Sequence, residues 1–229
     1  MTDDDRKIMS DLIRQAWDQG DPTAWFDIIY ARAANGEGRI PWAYMQPEPR
    51  LMEWARQVKL NGTGQKALVV GCGLGDDAEA LAEMGFEVTA FDVAPTAIAW
   101  ARRRFPRSPV DYRVADLFLL PTAWRGAFEF VLESRTIQAL PWNAAEPATE
   151  AIAATMRPGG QLLVLCHGRE PHEPRKGIPW PLSREELALF EQVGLIEESF
   201  DEFKDGPVRR FRVAYRRKTA VNPAEETKQ

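Results

Sequence analysis

The chain has 229 residues, 45% of them apolar and 28% charged, with a formal net charge of −5. That length suits one α/β domain with a full core and leaves little room for a second. The acidic balance disfavours nucleic acid as an obligatory partner, because phosphate binding runs on excess Lys and Arg. No run of about 18 apolar residues offers a membrane span, and two cysteines, Cys72 and Cys166, cannot build a disulfide framework. The opening MTDDDRK lacks the basic start and apolar stretch of a secretory signal. A cytoplasmic protein, monomeric or weakly dimeric, is expected.

Residues 6–19 carry Ile8, Met9, Leu12, Ile13, Ala16 and Trp17 on one helical stripe, behind aspartates that suit a helix N-terminus. A second helix is expected from about Pro22 to Ala34, stopped by Asn35-Gly36. Residues 39–50, RIPWAYMQPEPR, hold three prolines and exclude regular helix or central strand. A short helix from about Leu51 to Val58 follows. From Lys66 the pattern alternates. Apolar runs mark strands at Ala67–Val70, Val88–Asp92, Tyr112–Val114, Phe128–Glu133 and Gln161–Cys166. Helical patterns fall between most of them, at Asp77–Met84, Pro95–Arg104 and Asn143–Met156. Continuous apolar strands separated by helices mean a parallel sheet covered on both faces. Ser183-Arg-Glu-Glu186 reads as a capping box opening a helix to about Val193. Ile196–Phe203 and Val208–Arg216, joined by a short turn, form an antiparallel hairpin. The arginines at 209, 210, 212, 216 and 217 read as the charged face of a solvated sheet edge.

The first strand, ALVV, runs into Gly71-Cys-Gly73-Leu-Gly75-Asp76-Asp77, and Asp92 lies 21 positions past Gly71. Glycines there allow a tight turn and close approach of a ligand to the main chain. An acidic residue about 20 positions on is where an α/β nucleotide-binding unit holds a ribose hydroxyl. A dinucleotide fingerprint would place its third glycine at position 76. Asp76 and Asp77 would instead confront a pyrophosphate with two carboxylates. A ligand with ribose, adenine and an ammonium but no phosphate suits them, and S-adenosylmethionine is such a ligand. Asp116, after the third strand, can accept an adenine amino group while Leu117 and Phe118 pack on the ring; it also fits a turn-initiating aspartate. His167 and Arg169 follow the fifth strand at the ligand-facing end of the sheet. The cysteine and histidine spacings match no zinc pattern, so no metal site is expected.

VVGCGLGDDAEALAEMGFEVTAFDVAPTAIAWARRRFP, then VADLF, FEFVLESRTIQALP and MRPGGQLLVL, resemble the class I methyltransferases. GIPWPLSREEL downstream and Trp25 with Pro41-Trp42 upstream resemble, more narrowly, the branch holding thiopurine S-methyltransferase, halide/thiol methyltransferases and tellurite-resistance methyltransferases. The resemblance implies a Rossmann-like, seven-stranded, mostly parallel α/β sheet with helices on both faces and the last strand antiparallel. Residues 1–60 would be a helical N-terminal lid, 61–218 the core and 219–229 a flexible tail. It implies S-adenosylmethionine as cofactor. Gly71, Cys72, Gly73, Gly75, Asp77, Asp92 and Val93 would hold its amino-acid end and ribose. Asp116, Leu117 and Phe118 would hold adenine, Glu133 and Ser134 would stand near the methyl group, and Trp25 and Trp42 would close over it. Arg135 and His167 are the catalytic candidates, His167 as a base for a thiol proton. Ser134 stands where thiopurine enzymes carry an arginine and halide enzymes a tyrosine. The implied acceptor is a small soft nucleophile: a thiol, a selenium or tellurium species, or a halide. A larger acceptor, or a non-catalytic cofactor binder, remains the alternative, although ESRT replaces the asparagine-proline-proline-tyrosine type of signature of amino-group methylation.

Overall fold

A computed structural model describes residues 3–175, 177–206 and 208–219; of the expected tail, residues 220–229 lie outside the described residues. Seven strands form one sheet: β1 (Lys66–Val70), β2 (Glu87–Asp92), β3 (Asp111–Val114), β4 (Phe128–Ser134), β5 (Met156–Gly168), β6 (Leu195–Asp205) and β7 (Val208–Arg217), in the order β3-β2-β1-β4-β5-β7-β6. β1 to β5 are parallel, and β7 runs antiparallel to both β5 and β6. The helices are α1 (Asp3–Asp18), α2 (Ala24–Ala34), α3 (Pro49–Val58), α4 (Asp76–Glu83), α5 (Pro95–Arg104), α6 (Ala145–Thr155) and α7 (Leu189–Gln192).

The central strands β1 and β4 and the middle of β5 are near-continuous buried runs because both faces of the sheet are covered there. Alternate residues divide between two cores. Leu68, Val70, Val131, Leu162 and Val164 pack under Ile152 of α6 and Phe190 of α7. Ala67, Val69, Leu132, Leu163 and Leu165 pack under Trp54 of α3, Leu81 of α4 and Ile98 of α5. The chain leaves β1 for β2 and β3, then returns to β4 on the other side of β1. Strand order therefore reverses between β1 and β4, and the crevice at their C-terminal ends is where an open α/β sheet binds ligands.

The N-terminal helices dock on this end of the sheet. Trp25 is fully buried among Met9, Ile13, Ala16 and Ile29. Asp27 of α2 accepts the Thr96 N–H at 2.8 Å, capping the first turn of α5 from 69 residues away. Helix α2 is thus tied to the core by a hydrogen bond as well as by packing.

Three sequence expectations change. The hairpin does close one edge of the sheet, but β6 is its outer strand and the arginine-bearing β7 its inner one. Arg212 is 2% exposed and donates to Asp201, to Gln57 Oε1 and to the Arg50 carbonyl. Arg209 pairs with Glu202 and Glu170, and Arg216 with Glu198, so carboxylates offset these cations one by one. The capping box forms, with Ser183 N–H donating to Glu186 Oε2 at 2.8 Å and Glu186 N–H to Ser183 Oγ at 3.3 Å. What it opens is shorter than expected: a 3-10 turn at Glu186–Ala188, then α7. β5 begins at Met156 and takes in Pro158-Gly-Gly160, read from sequence as a turn. Gly160 is needed there, because a Cβ would stand 3.0 Å from the Phe128 carbonyl oxygen of β4.

Candidate functional site

A cavity opens at the C-terminal ends of β1, β2 and β4. It is walled by the glycine turn after β1, the ends of β2 and β3, the loop after β4, and parts of α2 and the proline-rich segment. Gly71 and Gly73 have φ of +60° and +53°, a backbone region that side chains disfavour. A Cβ at Gly71 would stand 2.5 Å from Thr136 Oγ1, and one at Gly73 would stand 3.0 Å from the Tyr30 hydroxyl.

Asp92 holds this turn. One carboxylate oxygen accepts the Gly73 N–H and the other the Ala94 N–H, both at 2.9 Å. Burial pushes its pKa up to about 6. Asp116 Oδ1 accepts the Phe118 N–H at 2.9 Å, the turn-forming role, and this turn sets Leu117 and Phe118 on the same wall. The Asp76–Asp77 pair is split. Arg104 donates to both oxygens of Asp76 at 2.6 and 2.7 Å and neutralises it. Asp77 accepts the Glu48 N–H at 2.7 Å, and burial raises its pKa to about 6. The repulsion expected against a pyrophosphate therefore rests on Asp77.

Cys72, Val93, Ser134 and Arg135 also line the cavity, as do Trp25 and Trp42. Arg135 has φ of +64° and its guanidinium lies 2.9 Å from Glu48 Oε2, with the Tyr44 ring 5.9 Å away. Trp42 donates from Nε1 to the Tyr30 hydroxyl at 2.8 Å and meets Trp25 and Tyr30 edge-on.

Three expected site residues stand off the walls. Gly75 opens α4 with φ of +92°, and a Cβ there would lie 2.3 Å from the Tyr112 hydroxyl, so close packing accounts for it. Glu133 is 1% exposed and accepts the N–H groups of Thr136 and Ile137 at 2.6 and 3.1 Å, shaping the loop after β4 from behind. His167 lies behind the wall, its pKa lowered to about 4 by burial and by Arg135 and Arg210. Phe26, Tyr30, Gln46, Glu48, Thr136, Ile178 and Pro179 line the cavity without having been read from the sequence. Only Glu48 carried a local signal, a carboxylate directly before Pro49 at a helix start. Among the described residues no cluster of His, Cys, Asp and Glu could hold a metal ion, and no helix is long and apolar enough to cross a membrane.

Burial also raises the pKa of Glu133, to about 7. A carboxyl raised on folding contributes stability that is fully present below its unfolded value, near 4, and lost as pH rises through its folded value. For Asp77, Asp92 and Glu133 that window runs up to pH 6–7. The unfolding midpoint of the ligand-free protein should fall as pH is raised from about 5 to 8, and fall less in Glu133→Gln. Equal slopes in the two proteins would remove Glu133 from this account.

Residues 67–160 match a family described as a methyltransferase domain. Over 185 residues the chain is 28% identical to 2-heptyl-1-hydroxyquinolin-4(1H)-one methyltransferase of Mycobacteroides abscessus, covering 76% of this chain and 80% of that protein. It is 34% identical to ubiquinone biosynthesis O-methyltransferase of Xanthomonas axonopodis pv. citri over 115 residues, 49% of this chain and 47% of that one. Among solved structures, an N-methyltransferase from Bradyrhizobium japonicum in complex with S-adenosylhomocysteine superposes with a TM-score of 0.64 at 19% identity, covering 83% of this chain and 98% of its own. A [4+2]-cyclase superposes with a TM-score of 0.69 at 17% identity, covering 87% and 96%. At such identity the superpositions establish the Rossmann-like fold alone, and the cyclase illustrates that a fold does not fix an activity. The matched methyltransferase domain, however, spans the strands that build this cavity, and a methyltransferase aligns with most of both chains. The chain carries a methyltransferase domain across residues 67–160 and is an S-adenosylmethionine-dependent methyltransferase.

Proposed function

We propose that the acceptor is a small, flat, largely apolar molecule carrying a soft or easily ionised nucleophile, an aryl or heteroaryl thiol foremost. One observation carries this reading. The cavity wall away from the glycine turn is built from Trp25, Trp42, Ala139, Leu140, Ile178 and Pro179, and among the described residues no histidine or lysine stands on any wall. Such a wall supplies no nitrogen base, and the carboxylates Glu48 and Asp77 are engaged by Arg135 and by the Glu48 N–H, so a nucleophile that loses its proton readily, or has none, suits it best. Its apolar extent suits a flat organic ring better than a bare ion, which places an organic thiol ahead of a halide or of selenium and tellurium species.

The residues fit the donor. Gly71, Cys72 and Gly73 put a glycine-rich turn on the cavity wall where a ligand can approach the main chain, and Asp77 beside it suits an ammonium group. Asp92 and Val93 would hold the ribose, and Asp116, Leu117 and Phe118 the adenine. Ser134 and Arg135 would flank the reacting end. Ser134 Oγ is buried without a hydrogen-bond partner among the described residues, as a group completed by a ligand would be. S-adenosylmethionine supplies a methyl group on a positively charged sulfur. The chain's own part is to align the acceptor and exclude water, with Trp42 and Tyr44 presenting aromatic faces to the cation and the buried Trp25 backing Trp42. His167, behind the wall, is assigned no proton transfer.

A second reading keeps the same wall and exchanges the thiol for an acidic hydroxyl on a heteroaromatic ring. The Mycobacteroides relative, named for a 1-hydroxyquinolinone, favours it. Assaying transfer from S-adenosylmethionine to an aryl thiol, a 1-hydroxyquinolinone, iodide and a protein extract separates these readings. The aryl thiol is expected to give the highest kcat/KM, rising with pH until the thiolate is fully formed. A higher value for the hydroxyl compound would install the second reading; preference for iodide or for macromolecules would overturn both.

A further inference from the structure

The acceptor end is closed by two segments far apart in sequence: Ala139–Leu140 after β4, and Ile178–Pro179 in the long connection after β5. Their relative position depends on Gln138, which is 1% exposed and is itself absent from the cavity wall. Its Oε1 accepts the His167 N–H at 2.8 Å, and its Nε2 donates to the His167 carbonyl at 2.8 Å and to the Trp180 carbonyl. Every polar atom of this amide is therefore in use, and it joins three stretches of chain: the loop after β4, the end of β5, and the segment around Trp180.

Main-chain bonds reinforce the same junction. Trp180 N–H donates to the Gln138 carbonyl at 2.7 Å, and its indole Nε1 to the Leu140 carbonyl at 3.1 Å. Leu182 N–H donates to the His167 carbonyl and Arg169 N–H to the Leu182 carbonyl, both at 2.9 Å, so the segment runs alongside the end of β5. The Trp180 ring meets Trp17 of α1 at 5.9 Å, extending the junction to the N-terminal helices.

We infer that Gln138 is a positioning residue that sets the spacing of the Ala139–Leu140 and Ile178–Pro179 walls and so decides which acceptors fit. This rests on the assignment of donor and acceptor ends above. Without the amide, a buried N–H and two carbonyls lose a partner. The main-chain bonds at Trp180 and Leu182 remain, so the outer wall stays attached but shifts. Shifts of about 1 Å in an aligned reactant cost rates heavily, and they cost unequally for acceptors of different width.

The test compares two thiols of matched acidity, one on a single ring and one on a fused pair, with wild type, Gln138→Leu and Gln138→Glu. The ratio of their kcat/KM values does not depend on the fraction of enzyme folded, so partial loss of structure leaves the readout intact. Gln138→Leu should change this ratio by about tenfold or more, and Gln138→Glu, which keeps the oxygen facing His167, should change it less and in the same direction. Affinity for S-adenosylhomocysteine should stay within about twofold, as for a distant, uncoupled site. Ile178→Ala, on the wall itself, should shift the ratio in either direction without touching Gln138. A shifted ratio in Ile178→Ala with an unchanged ratio in both Gln138 variants would make Gln138 merely structural and overturn the inference. An unchanged ratio in all three variants would overturn it too, while normal S-adenosylhomocysteine binding left the donor assignment standing. Failure of the wild type to bind S-adenosylhomocysteine would sink the donor assignment and this inference together.

Discussion

Asp92→Asn is expected to weaken S-adenosylhomocysteine binding by roughly 10- to 100-fold, corresponding to about 1–3 kcal/mol. Both Asp92 oxygens are committed to main-chain N–H groups, at Gly73 and Ala94. Asparagine keeps one acceptor and turns an NH2 toward the other N–H, so the variant opposes donor to donor inside the turn that is proposed to hold the cofactor. The loss should be seen by calorimetry in a variant that still unfolds cooperatively. The acidity of the wild-type group adds a second signature. With its pKa raised to about 6, Asp92 is mostly ionised at pH 7 and becomes protonated as pH falls through 6. Wild-type affinity should decline over that range, and the decline should be shallower in Asp92→Asn. Unchanged affinity at pH 7 in the folded variant would separate Asp92 from the cofactor.

The parts of this molecule written in local patterns were legible in its sequence. β1, β2 and β4 are short apolar runs, and the glycine turn after β1, Asp92 at the end of β2 and Asp116 just after β3 fall at spacings that strand-turn-helix geometry dictates. The structure brings those residues to one cavity because strand order reverses between β1 and β4. What escaped was decided by packing at long range. Gln138 and Trp180 are 42 residues apart, and Asp27 caps a helix 69 residues away; no local pattern encodes such pairs. Glu133 shows the reverse difficulty. Its place at the end of β4 suggested a ligand-facing side chain, but strand alternation turns it away from Ser134, toward the N–H groups of the following loop. Which strand of the edge hairpin lies outermost did have a readable signal. Phe211, Val213 and Tyr215 alternate with Arg210, Arg212, Ala214 and Arg216 on β7, whereas β6 reads Glu-Glu-Ser-Phe-Asp-Glu, and the more apolar strand of such a pair belongs inside the sheet.

Trp42→Ala should lower kcat/KM by about 100-fold or more while costing little thermal stability, because Trp42 works at the mouth of the cavity and not in the sheet. The ring is half-buried and in contact with Trp25, Phe26 and Tyr30, and its N–H is held by the Tyr30 hydroxyl. Those contacts divide the N-terminal region into a fixed part and a part proposed to move. Helix α2 is fixed, with Trp25 buried and Asp27 bound to α5. Residues 35–47 are the proposed lid: they hold no helix or strand, and Tyr44 and Met45 are more than half exposed. They are attached to the core through Trp42 at one place and through the Glu48–Arg135 ion pair at another. Removing the Trp42 ring cuts the first attachment, so protease cleavage between Asn35 and Arg39 should accelerate in Trp42→Ala and be slowed by S-adenosylhomocysteine in the wild type. Trp42→Phe keeps an aromatic face but loses the bond to Tyr30, and it should fall between the two in both rate and cleavage. Cleavage that is insensitive to both ligand and substitution would make residues 35–47 a fixed wall, and the loss of activity in Trp42→Ala would then report acceptor packing alone.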